Sequence, residues 1–307
     1  MTNFLCGFLY LGAILRLTVL TTPSAFGPIT EPDHANIDFA GVEITKDIPY
    51  LGSTGRETLD LYRPEKLIPG KTYPAIVIIH GGGWTEGSKS LVREQNFGTN
   101  LARAGYICAS IDYTLATKSR PTWPEVLYQC KSSVQFLRKK AGSYQIDPDH
   151  IGIIGGSAGG HLALMVGLTS VMGHLQPSGP WADLSSRVQA VVDFYGPTNL
   201  PTARLDEYCG MLFGANKMQE PDLWAKASPV NVVTTQAPPV LVVHGTADQA
   251  VTLDQSEQLI TKLGREGVSH EFIRVEGAGH SFDFQPPQQD LRPAVLTFFD
   301  RYLKQVR

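Results

Sequence analysis

Along this chain short, almost unbroken apolar runs alternate with longer stretches in which apolar residues recur at helical spacing. The runs Ala75 to His80, Ile151 to Ile154, Val188 to Tyr195 and Pro239 to His244 are apolar at most positions rather than alternating. Continuous apolarity means burial on both faces, so these runs predict strands of a parallel sheet. Tyr106 to Asp112 and His270 to Val275 predict two further strands. Between them, helices are predicted over Leu91 to Ala104, Glu125 to Ala141, Ala158 onward, Leu253 to Gly264 and Pro293 to Val306. Val42 to Tyr50 and Glu57 to Tyr62 predict an opening hairpin joined by Leu51-Gly52-Ser53-Thr54-Gly55. Asp147-Pro148-Asp149-His150 is expected to cap the turn into the Ile151 strand.

Strands alternating with helices, joined by connections too short for a second domain, predict one mostly parallel α/β sheet with helices on both faces over residues 41–307. The stretch 198–230 has no clear period and contains Pro201, Pro221 and Pro229. It is expected to be a short irregular insertion over the top edge of the sheet, helping to shape a pocket.

The N-terminus breaks this pattern. Phe4 to Leu20 is nearly continuous apolar sequence containing Arg16, followed by Pro23 and the small residues Ser24 and Ala25. That composition predicts a secretory signal over residues 1–25, a polar and proline-rich linker over 26–40, and a secreted or periplasmic protein with no stable membrane partner after processing.

Composition narrows the function mainly by exclusion. The chain has 307 residues, 42% hydrophobic and 18% charged, with a formal net charge of −3. No run of lysine or arginine points to nucleic acid or an anionic surface as partner. Outside the signal-like segment, which holds Cys6, the cysteines are Cys108, Cys130 and Cys209, with no C-x-x-C spacing. No metal site is expected from them; one disulfide and plain core packing are both open.

The chemistry begins at Gly155-Gly156-Ser157-Ala158-Gly159-Gly160, directly after a predicted strand and before a predicted helix. A serine between glycines at a strand-to-helix turn is held out at the top of the sheet, beside unpaired N–H groups at the helix N-terminus. His80-Gly81-Gly82-Gly83-Trp84 follows another buried strand, and glycines there let main-chain N–H groups approach a ligand closely. A serine hydroxyl is a weak nucleophile without a base, and the base needs a carboxylate to orient it.

Asp248 follows the Pro239 to His244 strand, and His280 lies in a glycine-flanked loop after the His270 to Val275 strand. His280 competes with His80, His161, His174, His244 and His270; of these His80 is expected to hold the glycine loop, His161 to pack behind the serine, and His244 to be a satisfied core residue. Asp248 competes with Asp193, in a buried strand, Asp254, a candidate helix cap, and Asp283, too near His280 in sequence to come from a separate strand end.

Together His80-Gly-Gly-Gly-Trp84, Gly155-Gly-Ser157-Ala-Gly-Gly160, His244-Gly-Thr-Ala-Asp248 and Gly279-His280-Ser-Phe282 resemble the α/β-hydrolase superfamily, and within it the hormone-sensitive-lipase-like and small bacterial feruloyl and acetyl-xylan esterases. Ser110-Ile-Asp112-Tyr113 and Ile146-Asp-Pro-Asp-His-Ile151 belong to the same likeness. The resemblance implies an α/β-hydrolase fold without a large N-terminal cap. It implies a catalytic Ser157, His280 and Asp248, an oxyanion hole of Gly82, Gly83 and Ala158, and no metal or organic cofactor. It further implies a serine esterase acting on short-chain, aryl or polysaccharide-linked esters through an acyl-enzyme. The chain departs from many relatives at Gly156, where they carry histidine or aspartate, and at Thr114, where an arginine is common. An arylformamidase-type amide hydrolase shares the same glycine motifs and stands as the alternative; a non-catalytic binding protein on the same scaffold is the third reading.

Overall fold

The computed structural model describes residues 37–52 and 55–304; the predicted signal segment and most of the predicted linker lie outside them. The strands are β1 (Val42–Pro49), β2 (Thr58–Pro64), β3 (Tyr73–Ile79), β4 (Ile107–Ile111), β5 (Ile146–Gly156), β6 (Ala190–Phe194), β7 (Val240–Gly245) and β8 (His270–Val275). They form one eight-stranded sheet in the order β1-β2-β4-β3-β5-β6-β7-β8. The opening hairpin is antiparallel, β2 joins β4 antiparallel, and every later pairing is parallel.

Main helices are α1 (Val92–Arg103), α2 (Glu125–Lys139), α3 (Ala141–Tyr144) and α4 (Ala158–Leu168), followed by a 3-10 turn at Gly173–Leu175. The remainder are α5 (Asp206–Phe213), α6 (Pro221–Lys226), α7 (Pro229–Val232), α8 (Asp254–Arg265) and α9 (Arg292–Leu303). The alternate side chains of one strand serve opposite faces: Ala75, Val77 and Ile79 of β3 belong to the core cluster on the side of α2 and α4, while Ile76 and Ile78 belong to the cluster on the side of α1. That is why the predicted runs read as apolar at most positions rather than alternating.

Two expectations change on the structure. Asp147 to His150 do not stand outside the strand as a cap, because β5 begins at Ile146, which pairs with Tyr73, before Ile151 pairs with Ala75. The intervening residues form an outward bulge, fixed by Asp147 accepting from the Asp149 N–H at 3.1 Å and from His150 Nδ1 at 2.9 Å. The insertion 198–230 is not irregular throughout but carries α5, α6 and α7, of which the last two open on Pro221 and Pro229. Proline is suited to the first helical position, since its missing N–H would have no intrahelical acceptor there. Cys108, Cys130 and Cys209 are buried and free, so the core reading of the cysteines holds and the disulfide does not.

The topology also locates the site. From β3 the chain steps outward to β4, then returns across the sheet to place β5 on the other side of β3. A reversal of this kind opens a crevice at the carboxyl ends of the two strands. The loops after Ile79 and Gly156 meet at that crevice.

Helix α4, which begins at the serine, is buried along its whole length, as expected of a helix apolar on all sides. Its far end is held by Lys131 of α2, a fully buried side chain whose Nζ donates to the carbonyls of Thr169 at 2.9 Å and Leu175 at 2.7 Å. Cations favour helix C-termini, but burial still pulls this ammonium down from 10.5 to about 7. The folded protein therefore binds fewer protons than the unfolded chain between those values, so this group makes stability rise with pH across that window and fall as pH drops toward 7. In urea titrations from pH 7 to 10, the stability of the wild type relative to Lys131→Met is expected to grow, at no more than about 1.4 kcal/mol per pH unit. A difference independent of pH would show that Lys131 titrates normally.

Candidate active site

Ser157 stands between Gly156, the last residue of β5, and Ala158, the first of α4, in a left-handed conformation with φ 59° and ψ −125°. This is uncommon and costly for a side chain bearing a Cβ, and it is held by the Ser157 N–H, which donates to the Phe194 carbonyl at 2.8 Å. The turn can be this tight because Gly159 presses its α-carbon against the Ile79 carbonyl, where any Cβ would collide. Ala158 opens the helix, so its N–H is one of the first-turn donors with no intrahelical acceptor.

The three residues predicted to work together do meet. His280 Nε2 lies 2.9 Å from Ser157 Oγ, and His280 Nδ1 lies 2.6 Å from Asp248 Oδ2. A carboxylate only accepts, so Nδ1 carries the proton and Nε2 is left to accept from the serine hydroxyl. The groups come from the ends of β5, β7 and β8, at one rim of the sheet. Asp248 is almost fully buried, and its Oδ1 accepts from the N–H groups of Ala250 and Val251, both at 2.9 Å. Burial alone would raise its pKa, but hydrogen bonds from His244 and His280, the His280 charge and the backbone outweigh that and hold it well below the usual carboxylate range. It therefore remains an anion throughout the neutral range.

The glycine loop is shaped for donation. Gly82 and Gly83 have φ of 106° and 57°, the region open to glycine without strain. Gly83 and Ala158 line a cavity with Ser157, together with Trp84, Pro197, Leu205 and Tyr208. Gly82 is adjacent to that lining rather than part of it. Its carbonyl is turned the other way, accepting from the N–H groups of Thr85 and Glu86.

The rival residues have other employment. His80 is buried, donates from Nδ1 to the Gly81 carbonyl at 2.7 Å and stacks on Tyr113 at 4.1 Å, whose hydroxyl donates to the His80 carbonyl. Burial pulls its pKa to about 4, so it is a neutral strut under the glycine loop. His161 is also buried behind the serine, donating from Nε2 to the Ala227 carbonyl at 2.8 Å. His174 is exposed after α4, and His270 lies at the opposite end of β8 from the site. Asp193 is buried in β6 and accepts from the Gly196 N–H, and its carboxyl is pushed up to about 7 by burial. Asp254 begins α8 rather than capping it, the cap position being Leu253. Asp283 accepts from the Gln285 N–H.

His244 does more than the sequence suggests. It is a satisfied core residue, accepting at Nδ1 from Ser256 Oγ at 2.7 Å and donating from Nε2 to the Val251 carbonyl at 2.8 Å. The same Nε2 also lies 3.3 Å from Asp248 Oδ2, the oxygen that faces His280. Its place four residues before the acid was the available signal.

The comparisons with known proteins bear on the family and the fold. Esterase LipQ of Mycobacterium tuberculosis is 34% identical over 249 residues, which is 78% of this chain and 57% of LipQ, so the chain spans little more than half of that relative. Among solved structures, a truncated carbohydrate esterase from gut microbiota superposes with a TM-score of 0.78 at 27% identity, covering 86% of this chain and 97% of that one. The butyrate-bound esterase Est2 of Thermogutta terrifontis superposes with a TM-score of 0.67 at 25% identity, covering 87% and 94%. The α/β-hydrolase fold implied by the motifs is thus the fold of this protein. A family model described as BD-FAE matches residues 59–263, from β2 into α8 with Ser157 and Asp248 inside it, and on that match the chain belongs to the BD-FAE family.

Proposed function

We propose that the protein hydrolyses short-acyl carboxylic esters through a serine acyl-enzyme. The observation that carries this is the line from Ser157 Oγ to His280 Nε2 at 2.9 Å and from His280 Nδ1 to Asp248 Oδ2 at 2.6 Å. His280 takes the serine proton as Oγ attacks the ester carbonyl, and Asp248 stabilises the imidazolium. The main-chain N–H groups of Gly82, Gly83 and Ala158 receive the oxyanion. His280 then protonates the departing alcohol, and a water deprotonated by the same ring releases the acid. The named relatives are esterases, which supports ester over amide hydrolysis, and the carbohydrate esterase among the structural neighbours supports an alcohol that is a sugar or a polysaccharide. Export rests on the composition of Phe4 to Leu20 alone.

The short-acyl part follows from the cavity beside Ser157, which is about 10 Å³. That is room for about one water-sized group, which favours short acyl tails over long ones. Its wall is the insertion: Leu205 and Tyr208, with the Tyr208 ring laid where a side chain on Gly83 would be. Tyr208→Ala is expected to raise the octanoate-to-acetate ratio of kcat/KM on p-nitrophenyl esters by about 10-fold or more, one methylene in an apolar pocket being worth about 10–200-fold. An unchanged ratio would place acyl selection elsewhere. An N-formyl aryl amide assayed beside p-nitrophenyl acetate tests the reaction class, and preferential cleavage of the amide would overturn the ester reading.

A further inference from the structure

Below the catalytic rim lies a buried cation that the hydrolytic steps do not use. Arg93, in the first turn of α1, is almost fully buried, and its Nε and Nη2 donate to Glu94 Oε1 at 2.8 and 2.7 Å. Its remaining nitrogen, Nη1, lies 3.4 Å from the Tyr195 hydroxyl. That hydroxyl in turn donates to the carbonyl of Phe282, two residues beyond His280.

Tyr195 is itself unusual. It leaves β6 with φ 44°, a left-handed conformation that is a genuine outlier for a bulky residue. The conformation puts its ring 4.8 Å from the His280 ring and 4.7 Å from the Phe282 ring. One fully buried side chain thus packs its ring against the base and holds the base-bearing loop by its hydroxyl.

Arg93 also touches the other two loops of the site. A Cβ on Gly156 would stand 3.0 Å from Nε and 3.1 Å from Cζ of Arg93, and a Cβ on Gly81 would stand 2.9 Å from Nη2. The guanidinium therefore fills the space that side chains at positions 81 and 156 would occupy. Gly156, bearing no Cβ, leaves the room that this cation fills.

We infer that Arg93 and Tyr195 are positioning residues that lock the glycine loop, the serine turn and the His280 loop into one register, Gly156 being the vacancy that admits the guanidinium. The inference rests on the esterase reading but concerns only how its groups are aligned. Neither side chain lines the cavity beside Ser157. A planar guanidinium with fixed donors suits the task, since it holds a carboxylate and a hydroxyl at once in a single plane.

The test uses the full protein and p-nitrophenyl acetate. Measurable wild-type hydrolysis that Ser157→Ala removes is required first; its failure would sink the esterase reading and leave the alignment claim without a reaction. Given that activity, Tyr195→Phe, which deletes one oxygen, is expected to lower kcat about 10-fold with KM within about twofold in a protein that melts a few degrees earlier but is fully folded at the assay temperature, the loss being alignment rather than binding. Arg93→Lys is expected not to restore full kcat, because an ammonium cannot reach Glu94 and Tyr195 together. Gly156→Ala is expected to lower kcat in the wild type and to cost at least threefold less when Arg93 is already alanine, a non-additivity that reports direct contact. Wild-type kcat in Tyr195→Phe, a loss confined to KM, or additive effects of Gly156→Ala and Arg93→Ala would each overturn the inference.

Discussion

Ser157→Ala is expected to leave a folded protein in which the proposed ester hydrolysis is reduced in kcat by a factor on the order of 10⁴ to 10⁶. The substitution removes one oxygen and keeps the Cβ, so the left-handed turn and the Ser157 N–H bond to Phe194 are retained. What disappears is the hydroxyl that His280 Nε2 faces across 2.9 Å, on a residue that lines the cavity. The residual rate is then that of water attacking a carbonyl held against the remaining amide donors. Stopped p-nitrophenol release together with an unchanged far-ultraviolet melting curve is the expected pair of observations. Activity retained above about a tenth of wild type would mean that another nucleophile does the work, and the proposed mechanism would be abandoned.

Asp248→Asn is expected to cost on the order of 10⁴ in kcat, although it is nearly isosteric. The two carboxylate oxygens are committed to different partners: Oδ1 to the N–H groups of Ala250 and Val251, Oδ2 to His280 Nδ1 and to the nearby His244 Nε2. An asparagine has one acceptor oxygen, and the pair of main-chain donors fixes it at the Oδ1 position. The amide nitrogen must then take the place of Oδ2, where it presents hydrogens to two imidazole nitrogens that are themselves donors. His280 can relieve this only by moving its proton to Nε2, and in that tautomer it cannot accept from Ser157. A steady-state comparison of kcat is decisive, and a loss of less than about 100-fold would show that Asp248 does not orient the base. His244, already bound to Val251 and Ser256, has no such freedom, so the variant is also expected to melt earlier than wild type.

Most of this architecture was legible along the chain, for a definite reason. The central strands are apolar on both faces and the helices between them carry apolar residues at their own period, so order and class follow from local pattern. The serine, acid and base were legible because each follows a strand end and because glycine at 155, 159, 82 and 83 marks where backbone must come close or turn left-handed. What stayed hidden depends on neighbours remote in sequence. No local feature of Arg93 announces that it lies beneath Gly156, since the space it fills is defined by an absent side chain 63 positions later. The helical content of 206–232 was masked by prolines, which read as breakers until each is seen at the start of a helix. The 147–150 segment misled for the opposite reason: its polar turn chemistry is real, but pairing on either side of it joins it to one long strand.

The crossing-over of the chain at β3 has a bearing on how the protein acquires its activity. The glycine loop and the serine turn are produced more than 70 positions apart and become neighbours only once β5 has been laid against β3, which has β4 on its other side. The base arrives later still, from the outermost strand. Contacts closed over such lengths form slowly because the loop entropy must be surrendered before they reward the chain. A partial fold reaching β5 would therefore bring the glycine loop and the serine turn together without their base, and the proposed hydrolysis is expected only once β8 has joined the sheet.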